Sequence, residues 1–321
     1  MEANTNRKLL SIIVPCYNES AVIKTFHSSL KEEMAELDSK YDYEIIYVND
    51  GSKDDTQKQV KNFSRDLHVR YISFSRNFGK EAAMLAGLEA AKGDCCVIID
   101  ADLQHPPEMI HQMLEKYEDG FDQVIAKRNR KGDSLKNRFF ARAYYKLVKN
   151  MVDVKMIDGA GDFRLLSRAA IDAVLSLRET NRFSKGLFSW VGFNQTYIEY
   201  ENRKRVAEES RWSFKRLLKY GIDGVISFNT QPLRLCVYLG GILLIISIAY
   251  LIYLFVSIML HGIDVPGYFT TIVMISVIGG VQLISLGIIG EYVGRIYAEV
   301  KKRPAYIIAE TNIQEGPENA K

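Results

Sequence analysis

The chain has 321 residues, of which 47% are hydrophobic and 25% are charged, enough for one large domain or two smaller ones. Its formal net charge of +3 is too small to indicate nucleic acid binding by itself, and we predict no nucleic acid partner. The four cysteines form no CxxC pair, which argues against a disulfide framework or a zinc site and favours reduced cysteines.

The first two-thirds of the chain alternates between strand-like and helix-like patterns. Apolar runs predict strands at 9–15, 43–50, 69–75, 94–102 and 123–128. Helical patterns occupy 20–38, a stretch from about Asp54, 80–93 and 106–120. Strands that alternate with helices predict an α/β fold with a mainly parallel sheet flanked by helices on both faces.

Polar clusters follow three of the predicted strands, at Pro15–Glu19, Asn49–Ser52 and Asp100–Gln104. In open α/β sheets, ligands bind beyond the carboxyl ends of the strands. We therefore predict that the three clusters meet at one rim of the sheet and form a site.

Two carboxylates close the fourth predicted strand, where Asp100 and Asp102 would project to the same face. Like charges this close repel each other unless something positive lies between them. Hard oxygen ligands suit Mg²⁺ or Mn²⁺, and Gln104 adds a neutral oxygen. The sequence therefore predicts a metal site formed by Asp100, Asp102 and Gln104; His105 lies beside them, but the set does not need it.

Two later segments, 134–152 and 210–228, combine apolar residues at helical spacing with lysines and arginines. Next to a membrane span, such a pattern is typical of an interfacial helix on anionic lipid. The alternative is an ordinary solvated helix packed on the sheet.

Two uncharged runs follow, at 235–260 and 268–289, and each exceeds the ~20 residues that cross a bilayer as a helix. Two buried core helices are the alternative. Basic residues lie before the first run and after the second, whereas the connection between the runs has no Lys or Arg. The positive-inside rule then places residues 1–234 and the tail in the cytoplasm.

Several motifs occur in order along the chain: SIIVPCYNES (11–20), VNDGSKDDT (48–56), SRNFGKEAAMLAGLEAAKGD (75–94), DADLQHPPE (100–108) and GDFRLLSR (161–168). Together they resemble a family 2 glycosyltransferase with the GT-A fold. More narrowly, they resemble the bacterial polyprenyl-phosphate (bactoprenol) glycosyltransferases and the dolichol-phosphate mannose synthases, over roughly residues 9–300. The resemblance implies a nucleotide-sugar donor, with UDP favoured over GDP, and a lipid-phosphate acceptor.

The predicted organisation is a cytoplasmic GT-A domain at 1–232, two transmembrane helices within 233–292 and a cytoplasmic tail at 293–321. The resemblance implies a multi-pass protein of the bacterial cell membrane with its catalytic domain facing the cytoplasm. A separate flippase and an outward-facing transferase are implied partners. Paired glycines at Gly240–Gly241 and Gly279–Gly280 allow two helices to approach closely. A homo-oligomer formed through these helices is therefore one of the open alternatives.

The resemblance assigns the donor to Pro15, Tyr17, Glu19, Asp50, Lys80, Asp100 and Ala101. Asp50 can accept a hydrogen bond from a base N–H and Glu19 from ribose hydroxyls, with turn capping as the alternative for both. Lys80 either touches donor phosphate or merely begins its helix. A metal on the Asp100 pair would bridge the phosphates as a Lewis acid.

The acceptor determines the mechanism. A lipid monophosphate has a second pKa of about 6, so it is mostly ionised at neutral pH and needs no general base. The guanidinium group of arginine binds phosphate with two parallel hydrogen bonds, so arginines suit this acceptor. The candidates are Arg128, Arg138 and Arg142, and the first two match the family pattern best. Nonspecific binding of anionic lipid is the alternative for each.

Asp162 occupies the position of the family's catalytic aspartate. With a phosphate nucleophile, it would orient the sugar or acceptor, or stabilise positive charge at the anomeric carbon, rather than take a proton. A helix or turn cap is the alternative. Arg164 could pair with Asp162 or reach phosphate, and Arg182 could complete a cationic wall. In-line attack by the lipid phosphate would invert the anomeric configuration.

Two other function classes fit parts of the sequence. A processive polysaccharide synthase would carry the motif Gln-x-x-Arg-Trp. In the corresponding stretch here, which ends at Trp212, Glu208 stands at the position of the glutamine. A non-catalytic sensor or scaffold for nucleotide sugars is the other alternative, and the complete set of aspartate motifs argues against it.

Overall fold

The computed structural model describes residues 7–37, 40–129, 160–177, 179, 182–201, 231–262 and 267–313. The predicted interfacial helices at 134–152 and 210–228 therefore lie outside the described residues, as do Arg138 and Arg142. The stretch from Glu208 to Trp212, which bears on the synthase alternative, lies outside them too.

The N-terminal elements follow the predicted alternation closely. They are β1 (Lys8–Cys16), α1 (Ile23–Leu37), β2 (Tyr41–Asn49), α2 (Thr56–Phe63), β3 (Val69–Phe74), α3 (Lys80–Ala90), β4 (Cys95–Ile98), α4 (Met109–Glu118) and β5 (Gln123–Asn129). One boundary was wrong, because β4 ends at Ile98 instead of continuing to Asp102. Asp100 and Asp102 therefore lie in the loop after the strand, where a tight turn rather than strand alternation places them.

The second half contains five described elements that the periodicity did not predict and the two long helices that the uncharged runs predicted. They are β6 (Ala160–Ser167), α5 (Arg168–Ser176), α6 (Ser184–Trp190), β7 (Gln195–Glu201), α7 (Gln231–His261), α8 (Tyr268–Val300) and β8 (Ile308–Thr311).

The strands form one eight-stranded sheet in the order β7-β5-β6-β4-β1-β2-β3-β8. Strands β4, β1, β2 and β3 pair in parallel, and β5 pairs in parallel with β7. β6 is antiparallel to both β4 and β5, and β8 is antiparallel to β3. The prediction of an α/β fold with a mainly parallel sheet is confirmed.

Both faces of the sheet are buried, which explains why its central strands read as continuous apolar runs. On β1, Ile12 and Val14 join the core that contains α1 and α4, whereas Ile13 joins the core that contains α3 and α5. Helix α3 packs very close to β1. A Cβ added at Gly87 would lie 2.3 Å from Cγ2 of Ile13, so glycine is required at this contact.

Helices α7 and α8 are long enough and apolar enough to cross a membrane, over Tyr238–His261 and Val277–Val300. Many of their large apolar side chains are exposed on the protein surface and not buried in a core. Both helices extend beyond the predicted spans, and α8 continues through Glu291, Arg295 and Glu299 to Val300. Charged residues ended the hydropathy pattern, but they do not end a helix.

Candidate active site

The carboxyl ends of β1, β2, β3 and β4 lie at one edge of the sheet because these strands run parallel. Hydrogen bonds join the loops after β1 and β2 at this edge. Asn18 N donates to Ser52 Oγ at 3.0 Å, and Glu19 N donates to Thr56 Oγ1 at 2.9 Å. Lys53 N donates in turn to Asn18 Oδ1 at 2.9 Å. Two of the three predicted polar clusters are thus in direct contact.

The residues predicted to hold the nucleoside lie along this edge. Pro15 is buried in β1 opposite Val48 of β2, and Tyr17 follows the strand with 38% of its surface exposed. The carbonyl oxygen of Glu19 accepts hydrogen bonds from the N–H groups at the start of α1. Contact with a nucleoside remains a prediction for all of them.

Asp50 is buried and holds the loop between β3 and α3. Its Oδ1 accepts a hydrogen bond from Phe78 N at 2.6 Å, and its Oδ2 accepts from Gly79 N at 2.9 Å and Asn77 Nδ2 at 2.8 Å. Burial raises the pKa of Asp50, and the two backbone N–H groups oppose that shift. The sequence did not indicate this role, since the partners of Asp50 lie on a different loop. Its predicted contact with a base stays a prediction.

The two loops also touch through their backbones. Gly51 has a φ of 62°, and a Cβ at this position would lie 2.3 Å from the carbonyl carbon of Arg76. Only glycine combines this backbone conformation with so close an approach. Asp50 and Gly51 together fix where α3 begins.

Lys80, the first residue of α3, joins three parts of the site. Its Nζ lies 2.7 Å from Asp100 Oδ1, in the loop after β4, and 2.7 Å from Asp162 Oδ2, on β6. Desolvation would lower the pKa of Lys80, but the two carboxylates outweigh it and raise that pKa, so the ammonium stays charged. The sequence predicted Lys80 as a phosphate contact or as a helix start, and it did not predict these ion pairs.

The loop after β4 turns sharply at Leu103, whose φ is 60°. A left-handed conformation is unusual for a large side chain and is typical of functional turns. Within the turn, Gln104 N donates to Asp102 Oδ1 at 3.1 Å, and Ala101 is buried. This turn keeps Asp100, Asp102 and Gln104 at the rim. The sequence predicted them at the end of a straight strand instead.

His105 packs among aromatic rings beside this turn. Its ring stacks on Phe163 at 5.0 Å between centroids and meets Tyr200 edge-on at 5.8 Å. Burial lowers the pKa of His105, and its Nδ1 lies 3.7 Å from Asp100 Oδ2, beyond a normal hydrogen bond. The described contacts of His105 are therefore aromatic packing beside the turn.

Asp162 and Arg164 lie on the same face of β6, on the side of α3 and α6. Burial would raise the pKa of Asp162, but Lys80, Lys185 and Arg164 lower it, so this aspartate is ionised. Its Oδ1 is buried and has no hydrogen-bond partner among the described residues. An ionised, incompletely satisfied carboxylate at a rim is suited to bind a cation or a hydroxyl group.

Arg164 is buried and makes structural contacts. Its Nη2 donates to Gly161 O at 2.7 Å, and its guanidinium carbon lies 4.2 Å from the centroid of Phe188. Burial lowers the pKa of Arg164 to about 10, which leaves it charged at neutral pH. Its positive charge lowers the pKa of Asp162, whereas the described contacts of the guanidinium are with Gly161 and Phe188.

Two side chains near Asp162 were not among the predicted site residues. Ser184 donates from both its backbone N and its Oγ to Glu81 Oε2. Burial raises the pKa of Glu81, and the charge of Asp162 adds to that rise while Ser184 opposes it. No motif pointed to this contact, because Glu81 and Ser184 are far apart in sequence.

The predicted cationic wall is only partly described. Arg128 lies in β5, where its backbone pairs with Tyr200, but its side chain is outside the described part of the chain, like Arg138 and Arg142. Arg182 donates to Leu177 O at 2.6 Å and to Val174 O at 3.3 Å. Its described hydrogen bonds therefore cap the end of α5 and do not extend to the rim.

The residues at the rim fit a divalent cation chemically. Asp100, Asp102 and Gln104 offer the oxygen ligands that Mg²⁺ and Mn²⁺ prefer. Asp162 adds a buried oxygen that lacks a donor within the described residues, and it converges with Asp100 on one lysine. Asp100 and Asp162 bring two carboxylates to one ammonium, and a divalent cation would offset the repulsion between them.

Comparison with known families gives two matches that cover most of the chain. Residues 11–175 match the model of glycosyl transferase family 2. Residues 231–296 match the GtrB C-terminal hairpin, the segment that forms α7 and most of α8. The resemblance that the ordered motifs indicated is confirmed.

Similar curated proteins match the chain over nearly its whole length. A putative glycosyltransferase, CsbB, of Bacillus subtilis is 55% identical over 95% of this chain and 92% of its own length. The SfII prophage-derived bactoprenol glucosyl transferase of Shigella flexneri is 41% identical over 94% of this chain and 98% of its own length. An uncharacterized glycosyltransferase of Synechocystis is 43% identical over 94% of this chain and 95% of its own length.

Proposed function

Because the chain belongs to glycosyl transferase family 2, we propose that it transfers a sugar from a UDP-sugar to undecaprenyl phosphate, with inversion at the anomeric carbon. One observation carries this proposal. The chain is 41% identical, along 94% of its length and through the membrane hairpin, to a bactoprenol glucosyl transferase. Glucose is therefore the first candidate for the sugar, and N-acetylglucosamine is the second.

The donor would bind at the rim formed by the loops after β1, β2 and β4. Pro15, Tyr17, Glu19 and Asp50 would contact the nucleoside, and Lys80 and Ala101 would lie beside the diphosphate. Held by Asp100, Asp102 and Gln104, Mg²⁺ or Mn²⁺ would supply Lewis-acid neutralisation of the departing diphosphate. Lys80 would add a fixed positive charge at the same place.

The acceptor phosphate would be the nucleophile. Because it is already ionised at neutral pH, the protein needs to position it rather than deprotonate it. Arg128 and Arg138 would hold its oxygens on the side of the sugar opposite the diphosphate. Asp162, which its cationic neighbours keep ionised, would stabilise positive charge that develops on the sugar ring.

The two apolar helices associate this protein with a membrane, where a polyprenyl lipid resides. We place the catalytic domain on the cytoplasmic side of the bacterial cell membrane, in accordance with the positive-inside rule. The product would then face the cytoplasm. A flippase and an outward-facing transferase would have to act after it to deliver the sugar to the cell envelope.

A donor screen tests this function. Purified full-length protein would be incubated with undecaprenyl phosphate, Mg²⁺ or Mn²⁺ and labelled UDP- or GDP-sugars, beside the Asp102→Ala variant. Label from a UDP-sugar in a short chloroform-soluble lipid, lost in Asp102→Ala, is the expected result. Label in a long polymer would show a processive synthase instead. Donor binding without turnover would show a sensor.

A further inference from the structure

The segment that follows the second membrane helix returns to the catalytic domain. We call Tyr306–Ile313 the C-terminal strap. It begins shortly after α8 ends at Val300 and contains β8, which covers the outer edge of β3. The strap thereby pairs backbone groups of β3 that would otherwise lie at the edge, and β8 becomes the edge strand.

Side chains reinforce this pairing on both sides of the strand. Tyr71 N donates to Asn312 Oδ1 at 2.7 Å, and the Tyr71 hydroxyl donates to Glu310 Oε1 at 2.8 Å. Glu310 also forms an ion pair with Lys61 of α2, with 2.5 Å between Nζ and Oε2. These contacts hold the strap in a defined register against β3.

At its start, the strap contacts the end of β3, the beginning of the following loop and the last turn of α3. The ring of Tyr306 stacks on Phe74, the last residue of β3, with 4.8 Å between centroids. Ser75 N donates to Ile307 O at 3.0 Å, at the point where the loop begins. The Tyr306 hydroxyl donates to Glu89, in the last turn of α3.

The loop between those two contacts leads directly to Lys80. Phe78 packs edge-on against Phe74 at 5.8 Å, so the stack that begins at Tyr306 continues into the loop. Asp50 holds Phe78 and Gly79 from the other side. Lys80 follows and reaches Asp100 and Asp162. The loop that leads into α3 is therefore held by Asp50 through hydrogen bonds and by the strap through the aromatic stack.

We propose that Tyr306 is a positioning residue, through which the end of the membrane hairpin sets the place of Lys80 in the active site. Its kinetic consequence rests on the proposed function, but its structural consequence does not. A change at Tyr306 alters the site without touching any residue that contacts substrate. Because the strap follows α8 in the chain, this contact also connects the apolar helices to the position of Lys80 at the rim.

The test compares Tyr306→Ala with Tyr306→Phe in the full-length protein in detergent. Alanine removes both the stack on Phe74 and the hydrogen bond to Glu89, whereas phenylalanine removes only the bond. We expect Tyr306→Ala to speed hydrogen exchange of the Phe78 and Gly79 amides about tenfold. We also expect it to lower kcat about tenfold, with KM for undecaprenyl phosphate unchanged. Tyr306→Phe should lie between Tyr306→Ala and the wild type.

Tyr197→Ala is the matched control, because Tyr197 lies in the edge strand β7 at the other end of the sheet and also contacts a charged side chain, Lys127. It should leave loop exchange and kcat as in the wild type. The proposal is overturned if Tyr306→Ala loosens β8 while the loop amides and kcat stay unchanged, or if Tyr197→Ala causes the same losses.

Two further comparisons keep the result interpretable. If Tyr306→Ala does not fold, Tyr306→Phe and Glu89→Met decide the question, since each removes only the hydrogen bond between Tyr306 and Glu89. If the wild type transfers no sugar from any donor, the proposed function fails. In that case, hydrogen exchange of the Phe78 and Gly79 amides still shows whether the strap positions the loop between β3 and α3.

Discussion

Replacement of Lys80 by methionine tests whether the ion pairs at the rim stabilise the folded protein. Methionine keeps most of the aliphatic stem but removes the ammonium that lies 2.7 Å from Asp100 Oδ1 and 2.7 Å from Asp162 Oδ2. The Asp162 side chain is only 15% exposed, and its Oδ1 has no hydrogen-bond partner in the described part of the chain. Without Lys80, this nearly buried carboxylate loses the cation that lowers its pKa most, although Lys185 and Arg164 still compensate part of its charge.

The magnitude follows from the exposure of the two partners. Removal of one partner from a buried pair typically costs about 3–5 kcal/mol. The Lys80 side chain is 41% exposed, so water already screens part of the attraction. We therefore expect a loss of about 1–3 kcal/mol in the free energy of unfolding. Each kcal/mol corresponds to roughly 2–4 °C in Tm for a domain of this size.

The pH dependence of this loss has a definite sign. Burial would raise the pKa of Asp162, but Lys80 outweighs it and holds that pKa below its ordinary value. Such a carboxyl contributes stability that is complete above its unfolded pKa of about 4 and is lost as the pH falls through the folded pKa. The difference between wild type and Lys80→Met should therefore be largest at neutral pH and shrink in acid.

Thermal unfolding of the full-length protein in detergent and EDTA measures this difference at neutral and acidic pH. Lys80→Arg is the matched control, because it keeps the positive charge and should retain most of the stability. Equal Tm values for wild type and Lys80→Met at neutral pH, or a difference that grows in acid, would refute the reasoning.

The remaining predictions concern the loops and the metal. Asp50→Asn should lower the free energy of unfolding in urea by about 2 kcal/mol, because an amide group cannot accept all the hydrogen bonds that the loop donates to Asp50; unchanged stability would mean that these bonds contribute little. Gly51→Ala should lower the free energy of unfolding by about 1–3 kcal/mol in the same assay, since the φ of 62° and the close contact with Arg76 both exclude a side chain. Gly120→Ala is the control, because its φ is also positive but a Cβ there meets no atom within 4 Å. EDTA should reduce sugar transfer by about a hundredfold or more, and Mg²⁺ or Mn²⁺ should restore it in the wild type but not in Asp102→Ala; full activity in EDTA would contradict a metal-dependent mechanism.

The edge strand β8 illustrates what the sequence could not predict. Its residues, Ile308–Thr311, form a short segment in a polar tail, and they pair with β3 from more than two hundred positions away. The pattern of a four-residue strand is too weak to identify, and its partner is not encoded in local spacing. Strand β6 also lies outside the predicted strands, because its residues are recognisable in the sequence only as the motif that carries Asp162.

The site shows the same division. The parallel sheet and the rim were predictable, because parallel strands bring their carboxyl ends together and the polar residues follow those ends directly. The contacts from Asp50 to the α3 loop and from Lys80 to Asp100 and Asp162 were not predictable. They depend on how three loops from separate strands pack against each other.

By itself, the sequence determined the α/β class, the family, the two apolar helices and the residues at the rim. These properties depend on periodicity, on hydropathy over long runs and on ordered motifs, all of which are local in the chain. Only the tertiary structure decided that Asp50 is a loop anchor, that Lys80 joins two carboxylates and that the tail adds an edge strand to the sheet. Such contacts arise from packing between segments that are distant in sequence, which local patterns do not encode.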